Sequence, residues 1–438
     1  MGGLFDVSAP FGYNESPEAM KIPVRFRSRL RWLYPGLGIK RWLLVAAVGV
    51  VLLSLAGSLV LWQVFPAAAP PGFLAVPLWG WALVLGLAGV ALAAWGMTRL
   101  NRALLAPFGH RAGSFIDAVY RHRQRGRGPK VVAIGGGHGL ATLLRGLKEY
   151  TDNITAIVTV ADDGGSSGRL RQALGVLPPG DFRNCIAALA DDEALTTQLF
   201  QYRFPSGNAA GLDGHSFGNL FITAMAEVTG SFERAILESG NVLAVRGRVM
   251  PSTLQSVTLL GDLREEAERV NRVSGESRIT AAGGTIERVY LEPDDVRAYP
   301  GAVRAILDAD LIVAGPGSLY TSILPNLLVG EIAQAIAASR ARKVYVCNLA
   351  TQRGETDGYS VGDHVAALER HVGAGLFPIV LANNDMRHAD RLPGGVEMTR
   401  LEVPADAACR LYTAPLADPR RPWRHDSKKL ARTLMGLL

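Results

Sequence analysis

The chain has 438 residues, enough for two or three domains, with 48% hydrophobic residues and a formal net charge of +7. Residues 1–130 carry 15 Lys and Arg against 4 Asp and Glu, a net of +11, which leaves −4 for residues 131–438. The positive charge is therefore a collar on the N-terminal part; with no zinc-finger spacing or basic recognition stripe, nucleic acid is not an expected partner. The cysteines, Cys185, Cys347 and Cys409, are widely spaced and form no Cys-x-x-Cys pair, so they supply neither a disulfide framework nor a metal cage.

Residues 1–40 read as a basic arm rich in Pro, Gly and Arg. Residues 41–98 read as a transmembrane helical hairpin. The runs 42–65 and 73–97 contain no charged residue, and each exceeds the roughly 20 residues needed to cross a bilayer. The uncharged turn 66–72 joins them. Basic residues flank both ends, which puts both termini in the cytoplasm of a two-span cell-membrane protein. The first run begins too far along the chain for a cleaved leader. Residues 99–129 follow as a membrane-proximal basic linker suited to anionic lipid; within 98–121 an amphipathic helix along the membrane face is expected.

From residue 130 to 438 the pattern is α/β. Val131-Val132-Ala133-Ile134 reads as a buried strand, Gly135-Gly136-Gly137-His138-Gly139 as a turn, and Leu140 opens a helix with leucines at helical spacing. Strand, glycine turn and helix make a phosphate cradle, because glycines let backbone approach an anion and the first helical N–H groups face it. The run is neither the six-residue dinucleotide fingerprint nor a P-loop. The strand 154–160 ends in Ala161-Asp162-Asp163-Gly164-Gly165-Ser166-Ser167-Gly168-Arg169. Two carboxylates, two hydroxyls and an arginine at one strand end read as a ligand site, with Asp162 and Asp163 as candidate Mg²⁺ ligands.

Pro178-Pro179-Gly180-Asp181-Phe182-Arg183-Asn184 turns into a helix with Asp181 as its expected N-cap, and Arg183 and Asn184 stand where an anion would bind. Gly214-His215-Ser216-Phe217-Gly218-Asn219 opens another helix; His215, Ser216 and Asn219 are candidates to grip a phosphate or a sugar hydroxyl. Residues 241–292 look like a β-rich excursion of lower functional content, with strands at 241–246, 276–280 and 286–291 and a charged helix at 263–270. The strand 310–314 then ends in Gly315-Pro316-Gly317-Ser318-Leu319-Tyr320-Thr321-Ser322, where Gly315 and Gly317 offer amides and Ser318, Tyr320, Thr321 and Ser322 offer hydroxyls. The strand 343–347 ends in Asn348-Leu349-Ala350-Thr351. A further strand, 377–382, and a C-terminal amphipathic helix complete a Rossmann-like, mostly parallel sheet with helices on both faces.

Several strings in order, among them Gly-Gly-Gly-x-Gly-Leu, Ala-Asp-Asp-Gly-Gly-Ser-Ser-Gly-Arg-Leu-Arg, Pro-Pro-Gly-Asp-x-Arg-Asn-Cys, Gly-His-Ser-x-Gly-Asn-Leu and Gly-Pro-Gly-Ser-Leu-Tyr-Thr-Ser, resemble the YvcK-type gluconeogenesis factor proteins. These are related to the 2-phospho-L-lactate transferases. The resemblance covers about 129–438. It implies a domain that binds UDP-N-acetylglucosamine, with a role in cell-wall synthesis, cell shape and growth on gluconeogenic carbon. Carried over by position, Gly135–Gly139 and the 315–318 loop cradle the nucleotide, Asp162 and Asp163 face the ligand, His215 and Asn219 line the pocket, and Arg424 holds a diphosphate. Position 138 is His where many members have Thr, and the hairpin is an addition to the better-known soluble members.

Two readings follow. In the first the chain is a membrane-tethered sensor of a UDP-sugar, without catalysis, whose partners include cell-wall synthesis proteins and a second copy of itself. In the second it is a Mg²⁺-dependent phosphoryl or nucleotidyl transferase.

Overall fold

The structure, a computed structural model, describes residues 39–64, 78–105 and 126–438, apart from 191–193, 206, 208–210, 265–269, 388 and 406. The basic arm before residue 39, the turn 66–72 and most of the expected membrane-face helix lie outside the described residues. The chain divides into two units, 1–114 and 115–438.

The first unit is a pair of helices, α1 (Ile39–Val64) and α2 (Leu78–Leu105). Both contain a stretch long and apolar enough to cross a membrane, Arg41–Leu61 and Trp79–Leu100. They run antiparallel and pack through small residues. The α-carbon of Gly49 lies against the backbone of Ala93, and that of Gly96 against the backbone of Ala46. Without side chains at these points two backbones can approach closely, the usual contact between helices in lipid. The Trp42 and Trp95 rings meet edge to face at 5.3 Å, and the Arg99 guanidinium lies over both. Leu44, Val50, Val51, Leu83 and Leu87 point outward and are mostly exposed, a surface that water disfavours and hydrocarbon accepts.

The second unit is built on a seven-stranded parallel sheet of order β10-β9-β8-β7-β1-β2-β3. Its strands are β1 (Val131–Gly135), β2 (Ile154–Val158), β3 (Arg248–Pro251), β7 (Leu311–Ala314), β8 (Arg342–Val346), β9 (Ile379–Asn383) and β10 (Arg410–Ala414). β1 and β7 are buried at every position, as expected of strands covered by helices on both faces. The sheet grows from β1 outward through β2 and β3, then resumes on the other side with β7. That reversal opens a crevice between β1 and β7 at their carboxyl ends.

Helix α3 (Gly137–Leu147) packs back on the sheet with Leu140, Leu143, Leu144 and Leu147 fully buried. Each such burial contributes roughly 1.5–3 kcal/mol relative to exposure. Helices α4 (Gly165–Leu174), α5 (Gly180–Leu189), α6 (Ala194–Gln201), α7 (Phe217–Thr229) and α8 (Phe232–Val242) follow β2 and lead to β3. A small antiparallel sheet, β5 (Val270–Ser274), β4 (Thr258–Arg264) and β6 (Thr285–Glu292), carries helix α9 (Glu276–Ala282) between β5 and β6. Helix α10 (Pro300–Leu307) leads into β7, α11 (Gly330–Ala338) into β8 and α12 (Val361–Val372) into β9.

The excursion is where sequence expectation and structure part. Residues 241–246 are not a strand: α8 runs through Val242, because Ile236, Ser239 and Leu243 recur on one buried face. Residues 276–280 are helical, since Gly275 precedes an acidic first turn and Ile279 is buried. The charged segment begins as the end of strand β4, whose residues alternate in burial from Gly261 to Arg264. β3, read as part of the excursion, pairs with β2 in the main sheet.

Candidate functional site

The loops after β1 and β7 meet at the reversal point. The α-carbon of Gly139 lies against the carbonyl of Pro316, so any Cβ there would push the two loops apart. Gly137 takes a left-handed conformation (φ +62°) to start α3 directly after the strand. The N-cap of α3, Gly136, has no side chain to offer, so the first amides of the helix look for partners outside it. Asp181 accepts a backbone hydrogen bond from Gly137, and its carboxylate fills the space where a Cβ on Gly136 would stand.

Into this crevice opens a cavity of about 580 Å³. Of the residues expected at the site, Gly136, Gly137, His138, Gly139, Asp162, Asp181, Pro316, Gly317, Ser318, Asn348, Thr351 and Arg424 line it. The loop after β7 is tied to the one after β8: Gly317 N–H donates to Asn348 Oδ1 (3.2 Å) and Ser318 Oγ donates to Gln352 Oε1 (2.7 Å). The Gly317 amide, expected to face an anion, is therefore engaged within the protein. Arg424 arrives from the C-terminus. Helix α13 (Ser427–Met435) packs on α3, and the segment before it hangs Trp423 and Arg424 at the cavity.

Several lining residues are absent from the sequence expectation. Thr142 stands one turn beyond His138 and donates to its carbonyl (2.9 Å). Gln352, Arg353 and Trp423 adjoin residues already chosen, so their proximity in the chain was the available signal, whereas the Ser322 hydroxyl was expected and lines the cavity. Glu276 comes from the excursion, whose functional content is higher than expected.

The cavity has an acidic wall and a basic rim. Burial, reinforced by the charge of Asp162, pushes Asp181 up to about 7. Burial and the neighbouring charges of Asp162, Asp181 and Asp163 push Glu276 up to about 9. Asp162 is raised by burial. On the opposite side burial and the Arg424 charge hold His138 below the usual imidazole range. The wall accepts hydroxyl protons or a cation, and the rim accepts an anion.

The expected pair Asp162 and Asp163 does not converge. Asp162 Oδ1 accepts from Gly164 N–H (2.9 Å) and lines the cavity, whereas Asp163 Oδ1 accepts from Ser277 N–H (2.9 Å) in the first turn of α9. That helix start supplies the unsatisfied amides that draw a carboxylate. Among the described residues no three His, Cys, Asp or Glu side chains stand at metal-binding spacing.

Other expected site residues are employed elsewhere. Gly135 and Gly315 are backbone positions beneath the loops, and Leu140 is core. The Tyr320 hydroxyl is buried against the Tyr359 hydroxyl (2.9 Å), and Thr321 Oγ1 donates to Glu355 (3.1 Å); both lie on an inward-facing π-helical turn, Leu319–Ile323. Ser167 Oγ accepts from Gly180 N–H (3.0 Å), fixing the start of α5 beside Gly165. That helix begins at Gly180, so Asp181 is in its first turn and is not its N-cap. Ser166, Arg169, Arg183, Asn184, His215, Ser216 and Asn219 gather away from the cavity lining around the starts of α4, α5 and α7. Ser216 is the N-cap of α7, accepting from Asn219 N–H (3.4 Å). His215 is 7% exposed, with Nδ1 at 2.9 Å from Ser166 Oγ.

Comparison with known proteins gives this fold and its crevice a family. Residues 131–412 match the family described as 2-phospho-L-lactate transferase CofD. The chain is 47% identical over 439 residues to a putative gluconeogenesis factor from Nostoc, covering 94% of this chain and 93% of that one. The chain belongs to the gluconeogenesis factor proteins of the CofD family. It is 40% identical to a putative gluconeogenesis factor of Deinococcus radiodurans, over 99% of this chain and 95% of that one. The gluconeogenesis factor of Bacillus subtilis is 52% identical over 260 residues, 59% of this chain and 80% of its own length. A crystal structure of a UPF0052 family member from Bacillus halodurans superposes with a TM-score of 0.63 at 44% identity, covering 70% of this chain and 98% of that one.

Proposed function

We propose that this gluconeogenesis factor binds UDP-N-acetylglucosamine at the β1–β7 crevice, is tethered to the membrane by α1 and α2, and regulates cell-wall synthesis and cell shape during growth on gluconeogenic carbon without catalysing a reaction. The observation that carries this reading is the meeting, in one cavity, of the glycine-opened start of α3 with Arg424. Helix-start amides and a guanidinium are complementary to a diphosphate. The volume falls within the roughly 300–1,000 Å³ of small-molecule sites. The acidic wall is suited to sugar hydroxyls, and Trp423 offers an aromatic face beside the arginine.

Titration calorimetry on the full chain in detergent micelles tests it. One UDP-N-acetylglucosamine should bind per chain with no product formed, and Arg424→Gln should weaken binding at least about tenfold, the loss of a charge-assisted hydrogen bond. No binding of any uridine nucleotide would refute the reading. Flotation with liposomes tests the tether: deletion of 41–98 should leave the protein in the aqueous fraction.

A transferase is the second reading, favoured by the family match and by Asp162, Asp181 and Glu276 on one wall. Burial first, and then neighbouring carboxylates, raise the pKa values of these three carboxyls, and a bound Mg²⁺ would lower them again. The ion would draw on one or two of these carboxylates and on phosphate oxygens of the ligand, as Mg²⁺ commonly does. Product from labelled nucleotide donor and Mg²⁺, abolished by Asp162→Asn, would establish it over the binding-only reading.

A further inference from the structure

Three helices start at one place outside the cavity lining. Ser166 lies in the first turn of α4, Arg183 in that of α5 and Asn219 in that of α7. The starts are bound together. Ser167 Oγ accepts from Gly180 N–H, Asn219 Nδ2 donates to Ser166 Oγ (3.1 Å), and the α-carbon of Gly218 is pressed against the Arg183 side chain. Each helix turns its positive end toward this spot.

Cationic side chains add to that field. Arg169 donates to the Asp213 carbonyl (2.6 Å) and Arg203 to the Gly214 carbonyl (2.5 Å), so both flank the turn that carries His215. Arg183 donates to Asn184 Oδ1 (3.0 Å). Among the described residues none of these three guanidiniums has a carboxylate within ion-pair distance. The nearby carboxylates that act on Arg183 are Asp181 and Asp162, and both are themselves drawn toward the neutral form.

Buried atoms here also lack partners. Arg183 is 7% exposed and its Nε has no acceptor; Asn219 Oδ1 and Thr223 Oγ1, one turn apart on α7, are likewise unpartnered. Leaving a buried charge and buried polar atoms unsatisfied is costly, and folding gains nothing from it. His215 completes the set. In the tautomer in which Ser166 Oγ donates to His215 Nδ1 (2.9 Å), the histidine carries its own proton on Nε2. That N–H is a further donor.

We propose that these residues form a second, anion-binding site beside the nucleotide cavity that takes a phosphate group, free or esterified, with Arg183, Arg203 and Arg169 supplying charge and His215 supplying a hydrogen bond. None of these side chains lines the cavity, so the proposal stands apart from the nucleotide reading.

Inorganic phosphate is the probe, measured by equilibrium dialysis on the full chain in detergent micelles. Saturable binding is expected, weakened about tenfold in Arg203→Gln and in Arg169→Gln, the loss of one charge-assisted contact. Both positions are exposed, so the thermal midpoint should not move. Phosphate binding should persist in Arg424→Gln, and UDP-N-acetylglucosamine should bind Arg203→Gln as it binds the wild type. Phosphate binding lost in Arg424→Gln and indifferent to Arg203→Gln would place the ion in the nucleotide cavity and overturn the proposal, as would no saturable binding by the wild type. If phosphate follows the expected pattern while no uridine nucleotide binds, the nucleotide reading fails alone.

A free phosphate and a phosphorylated metabolite are separated by competition. Displacement of phosphate by a sugar monophosphate at equal or lower concentration assigns the esterified form; indifference to it assigns the free ion.

Discussion

The α-carbon of Gly146 on α3 rests against the carbonyl of Ser427, the first residue of α13, with no room for a side chain between them. This contact fixes how the C-terminal helix lies on the helix that opens the cradle. Asp426, its N-cap, accepts from Lys428 and Lys429 N–H (both 2.9 Å) and sets where the chain enters that helix. Arg424 stands two residues earlier. Gly146→Val should therefore act on stability and site together. Overpacking costs about 1–3 kcal/mol, read as a lower urea midpoint, and nucleotide affinity should fall with it. Unchanged midpoint and affinity would show that Arg424 is positioned by something else.

The acidic wall gives stability a pH dependence of defined sign. Glu276 titrates near 4.5 when free and near 9 in the fold, since burial and the adjacent carboxylates disfavour its charge. Its stabilising contribution is complete below its unfolded value and is lost as pH rises through its folded one. Glu276→Gln should then be neutral near pH 4 and stabilising at pH 8, with the gap opening across that interval. Thermal melts of both proteins from pH 4 to 8 measure it. A pH-independent gap would mean that the Glu276 carboxyl is not desolvated.

The N-terminal helix pair makes a separate claim. Gly96 lies against the backbone of Ala46, and Gly49 against that of Ala93. Gly96→Leu should force α1 and α2 apart where Trp42 and Trp95 meet edge to face. Close packing of small residues is the main attraction available in lipid. A disulfide engineered between positions 56 and 86, where a Cβ on Gly86 would lie 3.8 Å from the Ala56 Cβ, should form readily with Gly96 in place and poorly with Gly96→Leu. Equal crosslinking would argue against glycine-mediated contact.

The parts legible from sequence share one property: their signal is local. Val131–Gly135 followed by glycines and leucines at helical spacing can fold in only one manner against a sheet, and two uncharged runs of more than 20 residues name themselves. Arg424 was legible only through resemblance, because nothing around it in the chain tells that α13 returns to α3. The division of the site was not legible. His215 and Asn219 carry polar, glycine-punctuated patterning as strong as that of the cradle, and only the packing of α4, α5 and α7 sets them apart from the cavity lining. Asp162 and Asp163 look like a pair, yet neighbours on extended chain point to opposite sides, and Asp163 reaches α9 instead. The excursion misled because its charged hairpin and its helix of 7 residues are both too short to sustain either periodic pattern.

His138 offers the sharpest check on where the anion lies. Its pKa is depressed by burial and by Arg424, so the ring is neutral at pH 7. A diphosphate beside it would reverse the second cause and favour the imidazolium. Binding at pH 6 should therefore take up a proton, seen as a dependence of binding enthalpy on buffer ionisation enthalpy. Asp181, with a pKa of about 7, contributes proton uptake of the same sign. The informative quantity is thus the difference between wild type and His138→Thr. Uptake should fall by a substantial fraction of one proton in the variant, and the rise in affinity from pH 7 to pH 5.5 should flatten. Identical uptake in the two proteins would place the phosphates away from the start of α3, and the cradle would have to be assigned to another part of the ligand.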